Sequence, residues 1–352
     1  MPIFRLMRRL GSPGTVLVFA LGAAGAAAAG VLLPSALFSD AHSFAEAGAT
    51  MLSPQWRHTY HDPWLQAGPF ELLVCLAGRT LGAVGPGTPV ALDALGALAL
   101  LGVARHVLGD RWRELLFVTV GSLGLGVISD TFEIGHPAEL FVTLLWLLAA
   151  RAARRDRAVA AALLVRLSAG FETWGLLGAP VLFLLPRLRS TVAAGALALA
   201  AACALYAPFA LGGDFHMFEL HWNVAGTLDA YVLGEGSAFT WPMRLAESVI
   251  VVSVGSAVAV ALRRRTGAVT WVAPAATSLS RVLLDPVRYG YYWDPALVLM
   301  LVGFALVVAS PRAYALRLRA RLPAAAGRLE PGFRPRRKGS PRGEAVSAAR
   351  PL

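Results

Sequence analysis

Residues 135–189 decide the class of fold, and they read GHPAELFVTLLWLLAARAARRDRAVAAALLVRLSAGFETWGLLGAPVLFLLPRLR. Apolar blocks at 138–150, 157–171 and 174–186 alternate here with the arginine-rich turn RAARRDR and the short connection FETWG. Apolar blocks joined by turns this short are typical of helices that cross a bilayer and return. Because the blocks are short, they must tilt, thin the bilayer or lie inside a helical bundle.

The composition of the whole chain agrees with this interpretation. Its 352 residues are 57% hydrophobic and 15% charged, with a mean hydropathy of +0.60. Soluble globular domains are about 45–50% apolar and about 25% charged. This much apolar surface excludes a water-soluble enzyme with one core, and it excludes disorder except at the chain ends. We therefore expect a polytopic membrane protein.

The basic residues predict the orientation of the chain. The net charge is +11 and Lys338 is the only lysine. Such a charge also suits nucleic-acid binding, but the arginines cluster between apolar blocks, as in the cytoplasmic loops of membrane proteins. We expect no nucleic-acid partner and a multi-pass protein of the plasma membrane with both termini in the cytoplasm. The inner clusters lie at 5–9, 105–113, 151–157, 187–189 and 263–265.

Counting the blocks between these clusters predicts an all-α bundle of about ten spans. The domain covers residues 1–310, and the basic segment 311–352 is expected to be a disordered cytoplasmic tail. The expected spans lie at 14–33, 88–105, 114–130, 138–150, 157–171, 174–186, 190–211, 242–262, 268–284 and 295–310.

Whether residues 67–85 cross the membrane determines on which side the later arginine clusters lie. If this segment crossed the membrane, every later cluster would lie outside. Glu71 and Arg79 would each cost roughly 2.5–3.5 kcal/mol in hydrocarbon. We therefore predict an outer juxtamembrane helix that lies flat at the interface.

Acid and base groups concentrate on the predicted outer side, where every histidine except His106 lies. Asp40 follows the first span directly and could act as a general base toward a hydroxyl. Arg57, His58, His61 and Asp62 follow among the aromatic residues of the first outer segment. Those aromatics could stack on sugars, or they could form the aromatic belt of a membrane interface.

Four stretches together resemble the GT-C integral membrane glycosyltransferases, in particular the actinobacterial mannosyltransferases that use polyprenyl-phosphate mannose. The resemblance covers roughly residues 14–310. It rests on PWLQAGPFELLVCLAGRTLG at 63–82, ARHVLGDRWR at 104–113, the stretch quoted first, and RYGYYWDPALVLML at 288–301.

The resemblance implies transfer of a sugar, which is mannose in the mannosyltransferases named above, from a polyprenyl-phosphate donor to an envelope glycolipid or glycan outside the membrane. Asp40 matches the family's base, and the reaction inverts the anomeric carbon. Basic groups or a metal steady the departing phosphate, for which Arg57, Arg281 and Arg288 are the outer candidates. Where the family's hairpin often carries lysine, this chain has Glu172.

Two further polar groups could belong to the site. Asp130, Glu133 and His136 could add an acid or bind a divalent ion, although loop polarity also explains them. Tyr291 and Tyr292 could bind substrate or anchor the chain at the interface. The two cysteines form no metal-binding pattern. Apart from such a divalent ion, no cofactor is expected.

Two other functions remain open. A proton-coupled transporter or lipid flippase would use the acids and histidines to couple protons to movement. A membrane scaffold would use its basic tail to bind anionic lipid.

Overall fold

The computed structural model describes residues 12–32, 40–82, 88–128, 135–265 and 270–308. Within these ranges the expected all-α class is confirmed, apart from a two-stranded antiparallel hairpin in which Trp222 pairs with Phe239. The α-helices are α1 (Pro13–Leu32), α2 (Asp40–Met51), α3 (Pro69–Gly82), α4 (Thr88–Leu108), α5 (Trp112–Gly124), α6 (Pro137–Arg154), α7 (Ala158–Phe171), α8 (Leu188–Gly212), α9 (Leu228–Leu233), α10 (Trp241–Leu262), α11 (Val272–Leu284) and α12 (Asp294–Val308). The 3₁₀-helices are Trp56–His58, Thr173–Leu184, Met217–Glu219 and Gly290–Trp293, and the strands are β1 (Trp222–Asn223) and β2 (Ala238–Phe239).

Several helices have the length and composition of membrane spans. Five segments qualify, namely Pro13–Leu32, Val90–Leu108, Leu188–Gly212, Trp241–Leu262 and Gly290–Val308. Leu245, Val249 and Val260 of α10 are exposed, as expected for side chains that face lipid. The protein therefore suits a bilayer environment. Five such segments do not establish the predicted ten spans, since Ala158–Phe171, Thr173–Leu184 and Val272–Leu284 are apolar but shorter.

Helix α6 lies at the centre of the described fold. Its first half packs in one hydrophobic cluster with α1, α4, α5 and α12. Its second half carries small residues, including Ala149 and Ala153, that pack against Ala161 and Ala162 of α7. Small side chains allow two helices to approach closely. This helix therefore holds its first residues and the preceding His136 at a fixed place among the other helices.

The predicted sixth span is a 3₁₀-helix instead of an α-helix. Thr173–Leu184 has 12 residues, which reach about 24 Å at about 2.0 Å per residue. The same residues in an α-helix would reach only about 18 Å. Its Gly178 lies against the indole of Trp146, which leaves no room for a Cβ atom, and Trp146 donates a hydrogen bond to the Gly175 carbonyl at 2.9 Å. The glycines thus allow this helix to lie directly on α6.

The first outer segment contains a helix. Part of residues 34–66 forms α2, which starts at Asp40 and packs against α3 through Phe44, Ala45, Leu72 and Cys75. The predicted flat helix 67–85 corresponds to α3, whose 14 residues reach about 21 Å, less than the roughly 30 Å hydrocarbon core. Its position in the membrane stays a prediction.

Arginines and acids occupy opposite ends of α6. At its C-terminal end, Arg151 donates a hydrogen bond to the Val107 carbonyl at 3.1 Å, and Arg154 donates one to the Arg263 carbonyl at 2.7 Å. Three of the predicted inner arginine clusters therefore meet at one end of the bundle. The N-terminal end of α6 lies about 27 Å away, given 18 residues and a rise of about 1.5 Å per residue.

Candidate functional site

A hydrogen bond between Asp40 and His136 forms the centre of the candidate site. Asp40 is the first residue of α2, and His136 is the N-cap of α6, which Pro137 begins. His136 Nε2 lies 2.8 Å from Asp40 Oδ2. The side chain of Asp40 is 55% exposed and that of His136 is 14% exposed. The carboxylate is thus accessible, while the imidazole that holds it is largely covered.

Aromatic rings fix the orientation of His136. Its imidazole stacks on Tyr291, with ring centroids 4.7 Å apart and planes 11° apart. Phe44 contacts the same imidazole edge-on at 5.4 Å. Because the two rings come from α2 and from the 3₁₀-turn before α12, they hold His136 from two sides. The 285–294 segment is thereby brought to the same end of the bundle as Asp40.

Glu172 lies on the other side of the His136 ring. Its Oε1 is 4.0 Å from His136 Nδ1. The Glu172 backbone is held in place because Ala67 and Glu172 form a β-bridge and because Gly68 N–H donates to the Phe171 carbonyl at 2.6 Å. Burial raises the pKa of the Glu172 carboxyl, and the proximity of His136 partly opposes that rise.

Glu71 completes a group of three polar side chains with the partly buried His136 and Glu172. It is 0% exposed, whereas the sequence suggested a place at the membrane interface. Its Oε1 accepts a hydrogen bond from Ala138 N–H at 3.1 Å, where the positive end of α6 favours a carboxylate. Burial and the nearby Glu172 raise its pKa. One possible ligand atom from each of the three residues lies within 4.8 Å of the others.

Arg281 is engaged by neighbours within the protein. The sequence suggested that it faces the phosphate, but it is buried in α11 and pairs with Glu139 through two contacts of 3.3 and 3.4 Å. Its guanidinium also lies 3.9 Å from the ring centroid of Trp174 and 4.7 Å from that of Tyr292. The arrangement makes Arg281 a buried structural cation beside the site.

A second arginine, which is partly buried, supports the segment after α11. Arg244 pairs with Glu247 at 2.8 Å and with Asp285 at 3.2 Å, and its guanidinium lies over the ring of Trp222. The Asp285 carboxylate also accepts a hydrogen bond from Val287 N–H at 3.2 Å. These contacts tie β1 and α10 to the 285–294 segment, which carries Tyr291.

Other predicted site residues form a separate group around Asp214. His58 Nδ1 lies 2.8 Å from Asp214 Oδ2, and the ring of His61 contacts the ring of His216. Of the remaining predicted residues, Arg57 lies over Trp56, Asp62 accepts a hydrogen bond from Trp64 N–H, and Arg288 is exposed.

The structure therefore brings together part of the predicted set, namely Asp40, His136, Glu172, Tyr291, Tyr292 and Arg281. Asp130 and Glu133 lie outside the described residues. Sequence reasoning did not place Glu71 and Glu139 in the site. Both are ionisable residues within apolar helices. Because such residues in membrane proteins are usually functional, this pattern could have identified them as candidates.

Comparison with known proteins assigns no family to this arrangement: no family model matches the chain, and no curated protein is significantly similar to it.

Proposed function

We propose that the protein is a membrane glycosyltransferase of the GT-C type with about ten spans. In this proposal it transfers a mannose-like sugar from a polyprenyl-phosphate donor to an envelope glycolipid or glycan. The reaction takes place on the outer side of the plasma membrane, and Asp40 is the base. The arginine-rich turns at the far end of α6 support this orientation, since such turns favour the cytoplasm.

The accessible carboxylate of Asp40, held by a covered imidazole, is the observation that carries the proposal. A general base must lie within hydrogen-bond reach of the proton that it removes. The exposed fraction of Asp40 leaves one carboxylate oxygen for an acceptor hydroxyl while the other accepts the His136 hydrogen bond. Held in this way, the carboxylate keeps one orientation, which lowers the cost of reaching the reactive geometry.

The proposed reaction is a single displacement. Asp40 takes the proton of the acceptor hydroxyl as the hydroxyl oxygen bonds to the anomeric carbon. The bond from that carbon to the phosphate oxygen breaks, and polyprenyl phosphate leaves with the electron pair. Positive charge must lie near the leaving group. Of the three predicted cations, Arg281 already pairs with Glu139 and Arg57 lies in the separate group around Asp214. The exposed Arg288 is therefore the best placed of the three.

Substitution of Asp40 tests the proposal. Membranes that contain the Asp40→Asn variant are incubated with labelled polyprenyl-phosphate mannose and an extracted envelope acceptor. We expect label in a glycolipid or glycan with the wild type and none with the variant at equal expression. Glu46→Gln is the matched control, because Glu46 is an exposed acid on the same helix. Full transfer by Asp40→Asn would reject Asp40 as the base.

One observation favours a proton-coupled transporter or flippase as a second candidate. Glu71, Glu172 and His136 form a buried group that could take up and release a proton, and buried acids in membrane helices often do so. Proteoliposomes with an internal pH-sensitive dye distinguish the two functions. Proton flux that Glu71→Gln abolishes, without any sugar transfer by the wild type, would favour the transporter.

A further inference from the structure

We propose that Glu71, His136 and Glu172 bind one divalent transition-metal ion between α3, α6 and the C-terminal end of α7. The inference goes beyond the proposed function and holds whether the protein transfers a sugar or moves a proton. It starts from the convergence of two carboxylates and one imidazole from three distant parts of the chain, with a ligand atom of each within 4.8 Å of the others.

The second oxygen of Glu71 is the independent sign that a ligand belongs here. The residue is fully buried, and Ala138 N–H satisfies Oε1. Oε2 is also buried and has no hydrogen-bond partner among the described residues. A buried carboxylate oxygen without a partner is costly. A cation bound between Glu71 and its two neighbours removes that cost.

The hydrogen bonding of His136 prepares its other nitrogen for a cation. Nε2–H donates to Asp40, so in the neutral ring Nδ1 carries a lone pair. His136 Nδ1 lies 4.0 Å from Glu172 Oε1. Two hydrogen-bond acceptors are thus close together with no proton between them. Metal-binding histidines usually donate their second N–H to a carboxylate, which orients the ring. Asp40 is therefore a positioning residue for the metal ligand His136.

The ligand set selects the class of ion. One imidazole with two carboxylates suits Zn²⁺ or Mn²⁺ better than Ca²⁺, which takes six to eight oxygen ligands in general. Ligands at about 2.0–2.2 Å from the ion lie about 3–4 Å from one another. Side-chain movements of about 1 Å therefore close the site around an ion. Arg281 is paired with Glu139 and its charge also acts on Glu172, so this one cation offsets only part of the negative charge of the carboxylates.

Manganese binding to the purified protein tests the inference without donor or acceptor. The full-length protein in detergent, freed of any affinity tag and stripped with EDTA, is titrated with Mn²⁺ while the electron paramagnetic resonance signal of free Mn²⁺ is recorded. We expect one tight site in the wild type that Zn²⁺ displaces. We expect the Kd to rise at least 30-fold in Glu71→Gln, Glu172→Gln and His136→Asn, and about tenfold in Asp40→Asn.

Thermal unfolding supplies a second measurement, in case a variant of the fully buried Glu71 folds poorly. Mn²⁺ should raise the unfolding temperature of the wild type and of the control Glu46→Gln, but not that of Glu172→Gln, whose side chain is 13% exposed. Wild-type protein that binds no Mn²⁺, or binds it no more tightly than Glu172→Gln and His136→Asn, would overturn the inference. Loss of sugar transfer has no part in either measurement, so the two proposals can fail separately.

Discussion

Asp40 and His136 come from distant parts of the chain and meet in one hydrogen bond, with Asp40 Oδ2 2.8 Å from His136 Nε2. The bond joins the start of α2 to the start of α6, and Tyr291 stacks on a face of the same imidazole ring. The accessible carboxylate of Asp40 is thus held by the largely covered imidazole of His136. The proposed chemistry depends on this contact.

Replacement of His136 by glutamine should slow the proposed transfer strongly. The loss of a hydrogen bond to a charged group costs about 1.5–3 kcal/mol, which corresponds to a rate about 10–150 times lower. His42→Gln is the control, since His42 is exposed and pairs with Glu46 on the surface of α2. Initial rates in membranes with matched protein levels measure the effect. Equal rates for the two variants would show that His136 does not support Asp40.

Gly135→Ala should loosen the junction between α2 and α6. Gly135 has φ +90°, and a Cβ there would overlap with the backbone of Ala41. Gly236 also has a positive φ, +77°, but nothing lies within 4 Å of a Cβ built on it. Gly236→Ala therefore carries only the strain of about 1 kcal/mol, whereas Gly135→Ala must also move α2. Unfolding temperatures and transfer rates should both fall further for Gly135→Ala, and equal losses would contradict the proposed contact.

The buried pair of Arg281 and Glu139 should show strong coupling. Arg281→Met leaves a buried carboxylate without its partner, which costs about 3–5 kcal/mol. Adding Glu139→Leu removes that carboxylate and should recover most of the lost stability. A double-mutant cycle of thermal or denaturant unfolding measures this coupling. Arg187 and Asp156 form an exposed pair at 3.3 Å, so Arg187→Met should cost less than about 1 kcal/mol. Additive losses at 281 and 139 would refute the coupling.

Tyr60→Phe should be neutral or stabilising. The Tyr60 hydroxyl is buried and has no hydrogen-bond partner among the described residues, so its removal gains up to about 1 kcal/mol. Tyr206 donates to the Ala169 carbonyl at 2.7 Å, and Tyr206→Phe should cost about 0.5–1.5 kcal/mol. Denaturant unfolding at neutral pH compares the two. A larger loss for Tyr60→Phe than for Tyr206→Phe would contradict this assignment.

The same substitution has a consequence for alkaline stability. Burial raises the pKa of Tyr60 well above its ordinary value of about 10. Below about pH 10 the Tyr60 hydroxyl keeps its proton in both the folded and the unfolded chain. Just above about pH 10 only the unfolded chain releases this proton. Stability should therefore fall above about pH 10, by up to about 1.4 kcal/mol for each pH unit. Unfolding measured from pH 9 to 11 should show a shallower fall for Tyr60→Phe than for the wild type.

Much of the fold follows from the sequence, because apolar blocks and arginine clusters are local signals. The helices at 13–32, 188–212 and 241–262 lie close to their predicted bounds. The hairpin of Trp222 with Phe239 was not predicted, since strands of two residues leave no periodicity. The 3₁₀ form of Thr173–Leu184 was not predicted either, because it depends on glycine contacts with Trp146.

The site could be predicted only in part. The sequence drew attention to Asp40 and His136 as single outer residues, but no local pattern indicates a contact between positions 96 residues apart. In the sequence, Glu172 only replaces the lysine that is expected from the resemblance. The fold places it beside His136. Hydropathy predicts an interfacial position for the helix that carries Glu71, which stays a prediction, but it does not predict that Glu71 is buried against the N-terminus of α6.

The distribution of the site along the chain affects how the protein is made. Asp40 leaves the ribosome early, whereas Tyr291 follows only when nearly the whole helical unit has been translated. Until then the imidazole of His136 lacks its stacking partner, and Arg281, the counterion of Glu139, has not yet been synthesised. A chain that ends before residue 281 therefore lacks both the counterion of Glu139 and the ring that stacks on His136.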